Sequence, residues 1–388
     1  MRSTSIFIWF EHGVFKPIAF QNFNVKIIFS DRLFRACALG ILSCVASAVC
    51  AAPLDAFLEA NPQARYGQGM IEFGADHMNR SLEVFRQNNV DPVAGENTGD
   101  YQGGTLRGGL SLRPDVWIDG ALQRRKITNG SEQPQIDSWR LGAQWQFLAA
   151  QASGPAAAVR VSAWGNHAQQ VVKSSPTALG PLTCSGSAGC VDRLSVNDAK
   201  DHAFQADLIG SWALGPVNLS AFAGAGQGKV SVGSITASAS QVPVLGNVTT
   251  TYSNGHFDNA LFDLAANMFK LNTELQSIDY STRMAQAGVN LAYASGSWLW
   301  RGGYALQNIQ RTAVDDVILS KSKTPYNLNQ TVVGEVAYKV TPSVALFTRG
   351  QVMSNQFLTE IPFLYNSLTS QRFNRRYGIL SVGLGLVF

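Results

Sequence analysis

The chain has 388 residues, of which 14% are charged, and a mean hydropathy near zero; soluble globular domains carry roughly one quarter charged residues. Lys and Arg exceed Asp and Glu by only 30 to 26, which argues against the concentrated basic face that nucleic-acid binding requires. Beyond residue 52 no apolar run reaches the roughly 18 residues of a membrane-spanning helix, so a helical membrane protein is excluded as well.

The first patterned stretch is Ala36-Cys-Ala-Leu-Gly-Ile-Leu-Ser-Cys-Val-Ala-Ser-Ala-Val-Cys-Ala-Ala52, preceded by Arg32 and Arg35 and followed by Pro53. Basic residues, then an apolar run, then small residues is the order of a secretory signal. Cleavage is expected near Ala52, with a retained signal-anchor helix as the alternative. The expected division is therefore 1–52, an extension plus signal peptide, and 53–388, a single domain. Removal of 1–52 takes five basic and two acidic side chains, leaving 25 against 24.

Cysteine usage agrees with export. Cys37, Cys44 and Cys50 leave with the signal, whereas Cys184 and Cys190 sit close together in a Gly/Ser-rich stretch. A disulfide is expected there, since oxidising compartments preserve such bonds. A metal pair is the rival, but neither a His nor a third Cys flanks them, and structural zinc takes four ligands. No metal or other cofactor is expected.

From Pro53 to Ala64, Leu54, Phe57 and Leu58 recur at helical spacing, a short helix or an irregular lead-in. Residues 66–88 hold a first strand or a bent pair, with Ile71, Phe73 and Ala75 opposed to Glu72 and Gly74. Period-two alternation, which sends successive side chains to opposite faces of a strand, then becomes clear. Leu106, Leu110 and Leu112 oppose Arg107 and Ser111; Val116, Ile118 and Leu122 oppose Trp117, Asp119 and Gln123. Residues 136–148 set Trp139, Leu141, Ala143, Trp145 and Phe147 against Ser138, Arg140, Gln144 and Gln146. Val159 and Val161 oppose Arg160 and Ser162, and a long loop over 168–201 carries the cysteine pair. Phe204, Leu208 and Trp212 oppose Gln205 and Asp207, and beyond Gly215-Pro216 the alternation resumes to about residue 224. Residues 257–281 fit one further hairpin or a helix about equally. Later strands set Val289, Leu291 and Tyr293 against Gln286 and Asn290, Trp298 and Trp300 against Arg301, Val336 and Tyr338 against Glu335 and Lys339, and Leu346 and Val352 against Arg349.

The last strand alternates Leu380, Val382, Leu384, Leu386 and Phe388 with small or mild residues. An apolar strand closing on an aromatic residue resembles the carboxyl-terminal signature of bacterial outer-membrane β-barrels. That resemblance covers about a dozen residues and implies that this strand closes the barrel and is read by the barrel-assembly machinery. Two regularities agree with it. Short Pro/Gly/Ser turns near 113, 153, 215, 296 and 342 alternate with longer polar loops, as short periplasmic turns alternate with long extracellular loops. Aromatic residues also gather near strand ends, where interfacial girdles lie.

The fold expected is all-β: a closed antiparallel transmembrane barrel, because no open sheet edge can be left in hydrocarbon. Fourteen strands are favoured, twelve if the 257–281 hairpin is omitted. A soluble secreted β protein is the alternative, with the apolar face as its core. In the barrel, Arg107, Asp119, Arg140, Arg160, Asp207, Arg301, Glu335, Lys339 and Arg349, with Glu72, would line the lumen. Porin-like passage of small hydrophilic solutes through the outer membrane is the leading expectation. A plugged structural or adhesive barrel is the second, and an outer-membrane hydrolase using His167 or His202 the third. An autotransporter translocator is not expected behind so short a lead-in. Expected partners are outer-membrane lipid and lipopolysaccharide, the assembly machinery and solutes, with no nucleic acid.

Overall fold

Strands of 10 to 25 residues that alternate between two faces have one way to satisfy their backbone in lipid, which is to close on themselves. The computed structural model of the chain does so. It describes residues 57–60, 67–78, 98–129, 134–149, 154–173, 177–178, 190–242, 246–268, 275, 278–355, 358–367, 369–373 and 377–388. The expected signal peptide and the 1–52 boundary fall outside these residues.

Among the described residues sixteen strands form in chain order. The first eight are β1 (Gly69–Met78), β2 (Thr98–Arg113), β3 (Val116–Asn129), β4 (Gln135–Leu148), β5 (Pro155–Lys173), β6 (Thr177–Ala178), β7 (Cys190–Leu214) and β8 (Val217–Ser231). Then come β9 (Ser234–Val242), β10 (Gly246–Ser253), β11 (His256–Phe257) and helix α1 (Ala260–Met268). The remainder are β12 (Tyr280–Ser295), β13 (Trp298–Arg311), helix α2 (Val314–Ser320), β14 (Leu328–Thr341), β15 (Val344–Met353) and β16 (Tyr377–Val387).

The wall is β1-β2-β3-β4-β5-β7-β8-β12-β13-β14-β15-β16, every neighbour antiparallel, and β16 returns to β1 through pairs from Met70↔Val387 to His77↔Leu380. The wall thus has twelve strands, and the fourteen-strand preference is corrected. The described residues of 257–281 supply no wall hairpin: Asn259 caps α1 by accepting from the Phe262 amide at 3.0 Å, and the helix buries Phe262. A second correction concerns 168–201, expected as loop. β5 and β7 pair continuously from Lys173↔Leu194 down to Pro155↔Trp212, so the 25-residue β7 rises past the end of β8. β9 takes β8's place beside that extension and β10 and β11 follow. This annex has its own small core of Ile235, Val248, Tyr252, Phe257 and Phe262.

Apolar exposure decides which face meets lipid. Leu122, Leu141, Trp145, Leu208, Val332 and Leu346 point outward with half or more of their surface bare, a pattern affordable in hydrocarbon and costly in water. Trp145, Phe147, Trp212, Trp298, Tyr338 and Phe388 ring the turn-bearing end, Trp298 and Tyr338 with centroids 4.8 Å apart. No described helix is long and apolar enough to cross a membrane.

Candidate functional site

Alternation that turns leucines outward necessarily turns the charged positions inward. Arg107, Arg140, Arg160, Asp207, Arg301, Glu335 and Arg349 are buried, and Asp119 and Lys339 half-buried on the same inner side. Five further inward charges were not anticipated: Asp76, Arg125, Asp201, Arg311 and Glu360. Arg125 continues the Asp119–Gln123 series on β3 and was legible from parity. Asp201, Arg311 and Glu360 were hidden because their stretches read as loops.

Register brings these charges together. Arg301, Glu335 and Arg349 lie side by side on β13, β14 and β15. Glu335 accepts from Arg301, with Nε at 3.0 Å, and from Arg349, with Nη2 at 2.6 Å. Arg349 also approaches Glu72 at 3.5 Å, and Glu72 approaches Arg107 at 3.7 Å. Across the lumen Arg160 donates twice to Asp119, both at 2.7 Å, the bidentate geometry that makes an Arg–carboxylate pair directional. Asp207 accepts from Gln205 at 2.9 Å and Gln286 at 2.8 Å. Buried charge is tolerated only when so partnered. Neighbouring glycines on β8 leave room for the belt: a Cβ on Gly224 would stand 2.0 Å from Asp207 Oδ1.

Two segments outside the strands enter the lumen. Phe57–Ala60, expected as a helix or lead-in, lies inside the turn-bearing mouth, packed against Ala158, Ile209, Phe222, Ala305 and Val333. The Ala60 amide donates to Ser211 Oγ at 2.7 Å, Asn290 to the Leu58 carbonyl at 2.6 Å, Gln144 to the Glu59 carbonyl at 2.8 Å and Asn218 to Glu59 Oε2 at 3.0 Å. The Arg301 guanidinium covers the Phe57 ring at 4.7 Å. Inward Leu299, Ala337 and Phe347 make the same end partly apolar, an addition to the charged lining expected.

At the opposite mouth the β15–β16 connection, expected as an external loop, folds inward. It buries Leu358, Ile361, Phe363 and Tyr365 against Ile127, Trp164, Met284 and Ile309. Glu360 meets Arg125 at 3.3 Å, Asn166 donates to the Glu360 carbonyl at 3.0 Å, and the Tyr280 hydroxyl donates to the Pro362 carbonyl at 2.6 Å. Burial pushes the Glu360 carboxyl above its ordinary range, with Arg125 pulling the other way. A small cavity lined by Met284, Gln307, Arg311, Leu358 and Thr359 lies beneath the insert.

The histidines are elsewhere. His167 and His202 are exposed on the outer face, His167 Nε2 at 3.0 Å from Asp198 Oδ1. Among the described residues no serine hydroxyl joins either one. No group of three or more His, Cys, Asp or Glu suited to a metal occurs among the described residues. Cys184 lies outside them, so the expected disulfide does too; Cys190 opens β7. Leu380, Val382, Leu384 and Leu386 stand on β16 between β15 and β1, sharing parity with the exposed Phe388.

A closed wall with an apolar exterior, interfacial aromatics and a charged interior decides the architecture. The fold is that of outer-membrane β-barrels. Among solved structures, the barrel is similar to the translocator domain of the autotransporter NalP from Neisseria meningitidis, at 10% identity over 84% of this chain and 91% of that one, TM-score 0.44. It is also similar to the NanC porin, at 8% identity over 81% and 98%, TM-score 0.40, and to the CymD monoaromatic hydrocarbon channel, at 9% identity over 86% and 92%, TM-score 0.40. The outer membrane phospholipase A from Escherichia coli is a further match, at 8% identity over 85% and 98%, TM-score 0.31. No protein-family model matches the chain, and no curated protein matches it.

Proposed function

We propose that this barrel is a narrow porin-like channel of the bacterial outer membrane, passing small hydrophilic solutes when its two inserts are displaced. The observation that carries the reading is the character of the obstruction. The wall is continuous and its inner face charged, while the lumen is filled at both mouths by segments that are not part of the wall. A twelve-stranded wall is wider than the eight-stranded kind whose side chains alone fill it. Arg107, Asp119, Arg140, Arg160, Asp207, Arg301, Glu335, Lys339 and Arg349 would then line the path and present both signs of charge to a passing solute. Export through a cleaved signal near Ala52 and recognition of the Leu380–Phe388 row by the assembly machinery belong to the same reading.

The second reading, a shut structural barrel, is favoured by the Arg301–Glu335–Arg349–Glu72 chain, which ties four strands and occupies the lumen. A hydrolase acting through His167 or His202 has the least support. Planar-bilayer recording separates these. Protein lacking residues 53–60 and carrying a short Gly/Ser linker for 358–373 should show discrete conductance steps, and the unaltered chain far fewer. A double variant with an intact, heat-modifiable barrel and no conductance would leave the shut barrel standing. Lipid hydrolysis lost on His167→Ala would favour the enzyme.

A further inference from the structure

The segment seated in the mouth remote from the short turns is held as a bound peptide is held. Residues 359–365 read Thr-Glu-Ile-Pro-Phe-Leu-Tyr, and the wall meets their main chain group by group. Asn166 donates to the Glu360 carbonyl at 3.0 Å, and the Tyr280 hydroxyl lies 2.6 and 3.0 Å from the Pro362 and Tyr365 carbonyl oxygens. In the opposite sense, the Phe363 amide donates to the Asp201 carboxylate.

Buried backbone groups must find partners in any plug, so the decisive feature is what this segment leaves unmet. Glu360 reaches Arg125 through one oxygen only, Oε2, at 3.3 Å from Nη1. Its other oxygen, Oε1, and Arg125 Nε are both buried and have no hydrogen-bond partner among the described residues, nor has Gln307 Oε1 beside the small cavity. Arg125 is fixed from behind, since its Nη2 donates to Asn166 Oδ1 at 2.6 Å and to the Ser138 hydroxyl. A guanidinium so held is ready for a two-bond carboxylate pair, which Arg160 and Asp119 achieve lower in the same lumen and the tethered Glu360 does not. Orphaned buried polar atoms weaken the seat, and a better-fitting ligand can take it.

We propose that the inner wall around Arg125, Asn166, Asp201 and Tyr280 is a binding site for short acidic peptides, with residues 359–365 seated in it as a tethered pseudo-ligand. The ligand's carboxylate takes the place of Glu360 on Arg125, and its main chain takes over the contacts from Asn166, Asp201 and Tyr280. An aromatic side chain replaces Tyr365, whose ring lies 4.1 Å from the Arg311 guanidinium. Such a site rests on the channel reading, to which it adds a class of solute at this mouth, although binding itself needs no open path.

The test titrates the peptide Thr-Glu-Ile-Pro-Phe-Leu-Tyr, blocked at both ends, into full-length barrel in a neutral detergent and follows binding by calorimetry. Heat-modifiable migration confirms that each variant is folded. Protein with a Gly/Ser linker for 358–373 should bind the peptide, and the unaltered chain at least about 10-fold more weakly, because its own segment competes. Replacing Glu by Gln in the peptide should weaken binding about 10- to 100-fold, the worth of a charge-assisted bond. In the linker protein R125Q should abolish that difference between the two peptides, whereas K126Q, next in the chain but exposed on the outer face, should preserve it. Phenylpropionate, an aromatic carboxylate without a peptide backbone, should bind far more weakly. No peptide binding by the folded linker protein, equal binding of the Glu and Gln peptides, or a difference that survives R125Q would each overturn the proposal. So would equal affinity in linker and unaltered chains, or phenylpropionate binding as tightly as peptide. None of these readouts involves conductance, so a barrel that binds peptide and passes no ion would sink the channel reading alone.

Discussion

The seating of Phe57–Ala60 in the lumen is quantitative enough to test. Its four hydrogen bonds contribute about 1 kcal/mol each net. Burial of Phe57 and Leu58, both at or below 5% exposed, adds about 2 kcal/mol apiece, and the Arg301 guanidinium over the Phe57 ring about 1 kcal/mol. Fixing four residues and their side chains costs about 6 kcal/mol. The surplus, about 3 kcal/mol, keeps the segment out of the lumen on the order of 1% of the time. Phe57→Ala removes one side-chain burial and the cation–π contact, about 3 kcal/mol together, and brings the equilibrium close to balance. Hydrogen exchange reads local opening directly. The Ala60 amide, bonded to Ser211 Oγ, should be protected about 100-fold in the wild-type barrel and almost unprotected in Phe57→Ala, while the strands keep their protection. Equal Ala60 protection in the two proteins would refute the seating energetics and with it the idea of a displaceable insert.

Further outcomes follow from the same geometry. Glu335→Gln leaves Arg301 and Arg349 without their shared carboxylate, and loss of one partner from a buried pair costs about 3–5 kcal/mol; the urea midpoint in detergent should fall sharply, whereas Lys339→Gln, half-buried near the turn-bearing end, should change it little. Glu360 has a raised affinity for its proton in the docked insert, so docking gains stability as pH falls through the docked-state value and loses it as pH rises above. Conductance should accordingly decrease on acidification, and Glu360→Gln should weaken that dependence, buried Asp201 being a second carboxyl beside the insert; recordings at a series of pH values decide it. On the lipid face, Leu141→Arg should cost about 2–4 kcal/mol if the residue lies near the bilayer midplane, measured by refolding into vesicles, whereas Gln310→Arg at the rim should be nearly neutral.

The wall was legible from sequence because a period of two is a local property: each strand announces its two faces without reference to its neighbours. Leu141 against Arg140 and Leu346 against Arg349 needed nothing more, and lipid physics then required closure. Residues 257–281 defeated the pattern because a nine-residue amphipathic helix and a strand leave similar apolar spacings over so short a run. Residues 168–173 and 190–201 do not read as strands because they run on past the end of β8, where the apolar alternation of the wall lapses. Above all, sequence could not say what fills the lumen. Phe57 and Tyr365 look like ordinary lead-in and loop residues; only the closed wall brings Arg301 over one ring and Arg311 over the other, at 4.7 and 4.1 Å. Such contacts join residues far apart in the chain, so local pattern carries no trace of them. The amino-acid order fixed which side of each strand meets lipid, and tertiary closure alone decided which charges meet each other and what stands between them and a solute.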